Sequence, residues 1–333
     1  DVFSVADTVS KSAGGTFDGN ITAAGTITVT GNADLNGDLD VDGTTNLDAV
    51  DVDGAVNFAA DVTFADGADI ITASAGTSNT RVGVNAGNSI ASGGTFNVAV
   101  GDESGTAITT GDHNVAVGYE SLKTEDAHGH NTAVGSQALK TLNAGADGKN
   151  TAVGAFAGKL MTEGVQNTLI GGLAGDALTH ADFNTVVGYQ ALSADTFGHR
   201  STAIGYSALN AQNFASSTNS SNTAVGYHSG LSVSTGIRNT IIGSEAGDAL
   251  TDADDNVAIG ALALSADRKG NKATAIGRGA LKVQDFSSST DSNNTAVGYS
   301  AGESVTTGQV NVFVGSLSGD ALTHSGANTF IGH

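Results

Sequence analysis

The stretch NTAVGYHSG at residues 222–230 returns at 294–302 as NTAVGYSAG, and looser copies stand at 131–139 (NTAVGSQAL) and 184–192 (NTVVGYQAL). The Gly that closes each NTAVG-like run serves as an anchor. Anchors fall at 83, 101, 118, 135, 154, 171, 188, 205, 226, 243, 260, 277, 298, 315 and 332. Most steps match the one from Gly118 to Gly135, interrupted by longer ones such as Gly135 to Gly154 and Gly205 to Gly226. The fourth residue after each anchor sets a larger period: Gly158, Gly175, Leu192, Leu209, then Gly230, Gly247, Leu264, Leu281, then Gly302, Gly319. The chain therefore writes coils of seventeen residues in blocks of four. A fixed period of this length marks a solenoid, in which each coil is stabilised by its neighbours.

Within a coil, NTAVG is rich in β-branched residues and ends on Gly, which predicts a strand that stops at the anchor. Gly, Thr and Asn at this density disfavour a helix. A coil of this length suits a strand, a tight turn, a second strand and a return. Parallel pairing of successive coils at ~4.8 Å would make fifteen of them a rod of about 70 Å. An Asn recurs at strand entry: Asn131, Asn150, Asn167, Asn184, Asn222, Asn239, Asn256, Asn294, Asn311 and Asn328. Stacked in register, these amides are expected to bond to the copies above and below.

Neighbours on a strand point to opposite faces. Val or Ile precedes nearly every anchor, and Ala or a larger apolar residue stands one place earlier. Both faces are thus apolar, while a solenoid buries only its inner one. The sequence predicts several copies meeting at a shared axis, with the small Ala side chains allowing close approach. The Thr column (Thr132, Thr151, Thr168, Thr185, Thr202, Thr223, Thr240) raises an ice-binding surface as a further possibility. It shares a face with the Val and Ile, which this reading buries.

A different period governs residues 21–75. Large apolar residues recur about every six positions at Val29, Leu35, Val41, Leu47, Val52, Phe58, Phe64 and Ile70, which predicts a hexapeptide-repeat β stalk. Residues 1–20 form an N-terminal connector and residues 76–333 the β-roll. Asp is dense in the stalk (34, 38, 40, 42, 48, 51, 53, 61, 66 and 69), with no Lys or Arg between 12 and 80. A divalent cation held by these carboxylates is one expectation and a solvated acidic face the other. The stalk contains no His, so a hexapeptide acyltransferase would lack its base.

Formal net charge is −21, from 34 acidic and 13 basic residues, with no Cys, Pro or Trp among 333 residues. Such a surface repels nucleic acid and anionic lipid. Disulfides and thiolate metal sites are excluded, and no apolar run reaches the ~20 residues of a membrane span. The opening DVFSVADTVS is not a signal peptide. The chain starts without Met and stops within a repeat at NTFIGH, so further parts are expected beyond both ends.

The NTAVGYxAL and NVAIG units resemble the repeats of trimeric autotransporter adhesin heads, over roughly residues 80–333, although that family's period is shorter. A hexad stalk followed by such coils is similar to bacteriophage tail-fibre proteins. The resemblance implies a left-handed parallel β-roll around a threefold axis. Its implied role is a non-enzymatic tail-fibre segment that spaces or presents host-receptor binding outside the cell. The head of a bacterial surface adhesin and a subunit of an extracellular filament are the alternatives. Expected partners are two further copies, fibre, virion or filament components at both ends, and a host-surface glycan or protein.

No Ser/His/Asp spacing, phosphate loop, dinucleotide fingerprint or zinc pattern appears, so no catalytic residue or cofactor is expected. Two inserts occupy equivalent places in successive blocks, NFASSTNSS (213–221) and DFSSSTDSN (285–293). Loops on a rigid scaffold commonly carry recognition. Receptor-contact candidates are therefore Phe214, Ser216, Thr218, Asn219, Phe286, Ser288, Thr290 and Asp291. His128 and His130, in the HGH tripeptide, are metal candidates if three chains bring their imidazoles together.

Overall fold

The computed structural model describes residues 75–333 together with Thr26. The chain divides after Gly67, and the described coils belong to the second unit, Ala68–His333. The connector, the hexad stalk and its acidic face lie outside the described residues.

The described chain is all β, a parallel solenoid with no helix. Fifteen three-residue strands, from Thr80–Val82 to Thr329–Ile331, form one parallel sheet in chain order. Register repeats without slippage: Thr223 lies beside Thr240, Ala224 beside Ile241, and Val225 beside Ile242. Each strand ends at an anchor whose backbone admits only glycine. Gly226 has φ +139, and a Cβ there would lie 2.5 Å from the carbonyl oxygen of Gly243.

The second strand predicted for every coil is replaced by turns. Left-handed residues recur at fixed places in the coil, such as His228 (φ 53) and Arg238 (φ 58), two places after an anchor and just before the Asn. Such a conformation disfavours a non-Gly residue by roughly 1–2 kcal/mol. The strain is offset by bonds to the preceding coil: His228 donates its N–H to Tyr206 O at 3.0 Å, and Arg238 to Ser220 O at 2.8 Å. These corners consume the length a second strand would need. Only where the inserts lengthen the coil do two-residue ladders form, Gly198–His199 with Thr218–Asn219 and Gly270–Asn271 with Thr290–Asp291.

The core runs the length of the stack and is built from the middle residue of each strand between the first and the last, plus two further columns. The middle residues, Ala133, Ala152, Leu169, Ala224, Ile241 and Phe313 among them, are fully buried. This corrects the sequence expectation for the Ala column, which faces the chain's own interior and not an axis between copies. The Val and Ile that flank it are correspondingly turned outward.

The other two core columns exchange volume. Coils with Gly four places after the anchor carry an aliphatic residue three places later, as in Gly175 with Leu178 and Gly247 with Leu250. Coils with Leu at the first place carry a polar residue at the second, as in Leu192 with Asp195 and Leu209 with Gln212, except for the coil of Leu139, where the buried Leu142 stands there. A Cβ on Gly175 would stand 2.7 Å from Leu178 Cδ1, so one site is empty because the other is full.

Candidate functional site

The broadest feature is the outer face of the long sheet. Eleven strands begin with Thr and four with Val, and all fifteen end with Val or Ile. These two positions flank the buried middle residue and point away from the core. Val153, Ile170, Ile204, Ile242 and Val297 each retain 36–39% exposure. The face carries no charge over about 70 Å, in a chain of net charge −21. Sequence reading identified the columns but placed the Val and Ile in a buried layer; in the single chain they share an exposed face with the Thr.

The Asn column lies behind one edge of this face. Asn239 donates its backbone N–H to Asn222 Oδ1 (2.9 Å) and its amide to Ala253 O (2.8 Å) and to Asn222 Oδ1 (3.2 Å). Its own Oδ1 accepts the N–H of Asn256 at 3.0 Å. Equivalent bonds tie Asn131, Asn150, Asn167, Asn184, Asn294, Asn311 and Asn328 to their neighbours. The column is broken at Ser201 and Ala273, which precede the inserts.

At these breaks a buried polar network takes over. Asp195 Oδ1 accepts the N–H groups of Gly198 (3.0 Å) and Phe214 (3.3 Å), and Asp195 Oδ2 accepts Gln212 Nε2 at 2.6 Å. Gln212 Oε1 in turn accepts the Asn222 amide at 2.8 Å. One block later Asp267, Gln284 and Asn294 repeat the arrangement. Burial pushes both carboxyls up from the usual range, against the pull of these donors. The sequence carried the signal, an Asp followed one coil later by Gln in the Leu-bearing coils, and motif reading passed over it.

The networks pin the inserts by their roots. Phe214 and Phe286 are buried at 5% exposure, anchoring the loops and unavailable to a receptor. Ser216, Asn219, Ser288 and Asp291 are exposed, and Thr218 and Thr290 half-buried. Asp291 forms an ion pair with Lys272 at 2.5 Å, which holds its carboxyl below the usual range.

His128 and His130 do not face one another. His130 stacks on His113 at 5.0 Å, and His113 on Phe96 at the same distance. His128 sits instead beside the buried Glu125, with Nδ1 3.4 Å from Oε1. A second aromatic column, not singled out from sequence, runs along the residue after the anchor. Tyr189, Tyr206 and Tyr227 stack at 5.8 and 5.5 Å, each about half exposed. Their faces are turned to one another along the rod, which favours a structural ladder over a platform for a planar ligand. A cavity of about 630 Å³ opens on the last coil between Leu317–Leu322 and Phe330–His333, where the core column meets solvent. No protein-family profile, curated protein or solved structure matches the chain.

Proposed function

We propose that the protein is a non-enzymatic structural fibre segment that assembles as a homotrimer, as in a phage tail fibre, with the Thr/Val/Ile face as the seam between chains. The observation that carries this reading is the absence of charge from that face along the whole sheet. A strip about 70 Å long and roughly 11 Å wide offers on the order of 800 Å² per chain, the size of a stable protein interface. Apolar columns of this extent are unusual on a monomer's surface. The rod would work outside the cell, joined at both ends to other fibre components. Its exposed insert tips, about 19 Å apart, would be offered to a host-surface glycan or protein. The head of a trimeric bacterial adhesin, or an extracellular filament subunit, would use the same seam. Sedimentation velocity with native mass tests the reading: an elongated species near three times 32.8 kDa supports it. A stable monomer contradicts it.

A second reading rests on the same face. Because Thr hydroxyls and Val or Ile methyls stand outward in two straight ranks, a monomeric rod would present a flat array suited to an ordered water lattice. Thermal hysteresis in a freezing assay, shown by a monomeric species, would move the function to ice binding.

A further inference from the structure

The geometry points to a binding site for a divalent transition ion of the zinc class, formed within one chain by Glu125, Asp126 and His128. One ligand atom from each residue lies within 4.8 Å of the other two. A zinc ion with ~2.0–2.2 Å bonds to nitrogen and oxygen needs edges of about 3.4 Å, so a closure of at most about 1.4 Å completes the set. The half-exposed Asp126 leaves a side open for a water ligand.

The repeat supplies its own controls. Glu125 occupies the place of Asp195 and Asp267, seven residues after an anchor. Those two carboxylates receive a side-chain donor, Gln212 or Gln284, at 2.6 Å. At the matching place of the first block stands Leu142, which donates nothing. Glu125 is fully buried yet accepts only two backbone N–H groups, from His128 and Ala144, both at 3.2 Å. A buried carboxylate left with spare acceptor capacity is costly unless a cation or donor meets it.

The other two residues change in the same corner. His128 replaces Gly198 and Gly270, and Asp126 replaces Thr196 and Arg268. A side chain at Gly198 would collide with Asp195 Oδ2, so His is tolerated only where the carboxylate is differently placed. His128 Nδ1 is buried and lacks a hydrogen-bond partner, although Glu125 Oε1 is 3.4 Å away. One Asp126 oxygen accepts the Ala127 N–H at 2.6 Å, leaving the other for an ion. One corner thus loses a neutral donor and gains a second carboxylate and an imidazole, a donor set that suits zinc, cobalt or nickel.

The test uses the untagged full chain, stripped with a chelator and titrated with Co²⁺ by visible absorption and with Zn²⁺ by calorimetry. The expected result is one saturable equivalent per chain. Affinity should fall at least about tenfold in His128→Gln and in Asp126→Asn, each checked for retained β circular dichroism, and stay unchanged in His130→Gln. Absence of saturable binding overturns the site, as does wild-type affinity in His128→Gln. Loss of binding in His130→Gln overturns it too, by moving the ion to the imidazole pair.

Discussion

Asn239 shows how a single side chain joins three coils: its amide donates to Asn222 Oδ1 before it and to Ala253 O, and its Oδ1 accepts the N–H of Asn256 after it. Replacing it with Ala would leave the Asn256 N–H and the Ala253 carbonyl buried without these partners. At about 1–3 kcal/mol for each such group, Asn239→Ala should cost roughly 2–6 kcal/mol. Hydrogen exchange should report the loss first at Asn256, with distant coils such as that of Asn150 unchanged. The ladder was legible because Asn recurs at one place in the period. The Asp195 and Asp267 networks were not, because their partners lie one coil away and the pairing needs the fold.

Those two carboxyls also set a pH dependence. Burial raises both in the folded state, so the native protein holds their protons more tightly than the unfolded chain. The stabilisation this brings is complete below the ordinary carboxylate range and is lost as pH rises through the raised values. Glu120 acts in the opposite sense: hydrogen bonds from Lys123 and Lys140 lower it from 4.5 to about 2. Its contribution is present above 4.5 and lost as pH falls toward 2. Melting midpoints should therefore rise on mild acidification from neutrality and fall again below pH 4.5. Asp195→Asn with Asp267→Asn should flatten the rise and keep the acid-side fall. An unchanged rise in that variant would assign it to the other carboxyls that burial raises, Asp176 and Asp248, or to relief of the overall negative charge.

At the scale of the coil, the alternation of Gly and Leu records how core volume is shared. Gly175 has φ +55, a conformation that Leu192 adopts at the matching place of the next coil, so backbone shape alone does not demand glycine. Space does: Leu178 Cδ1 already fills the site. Gly175→Ala should destabilise by about 1–3 kcal/mol through overpacking. Adding Leu178→Ala should recover part of that loss, and strictly additive effects in denaturation would contradict the shared-volume account. The four-coil period was plain in the sequence, yet its cause was not, since Gly175 and Leu178 meet only once the left-handed corners have folded the coil. The second strand failed for the same reason. Residues such as His228 and Arg238 give no composition signal for a left-handed conformation, which the bonds between coils impose on them.

Over the whole described unit, charge and apolarity are kept apart. The corners carry ion pairs, among them Arg238 with Asp255 and Arg268 with Asp285, while the long sheet's outer face carries none. The period, the parallel stacking and the existence of a second apolar column could be read from residues alone. Which column faces outward could not, because Ala and Val alternate in any strand and only the curvature of the coil decides which turns inward. A seam on this face would let the chain extend by adding coils without changing its cross-section. The most direct test places charges on it. Native mass should be compared for the unaltered protein and for the paired variant Ile204→Lys with Ile242→Lys, both side chains being exposed in the single chain. The account predicts a trimer for the first and a monomer with unchanged β circular dichroism for the second. A trimer that survives both lysines, or a monomer from the start, would contradict it.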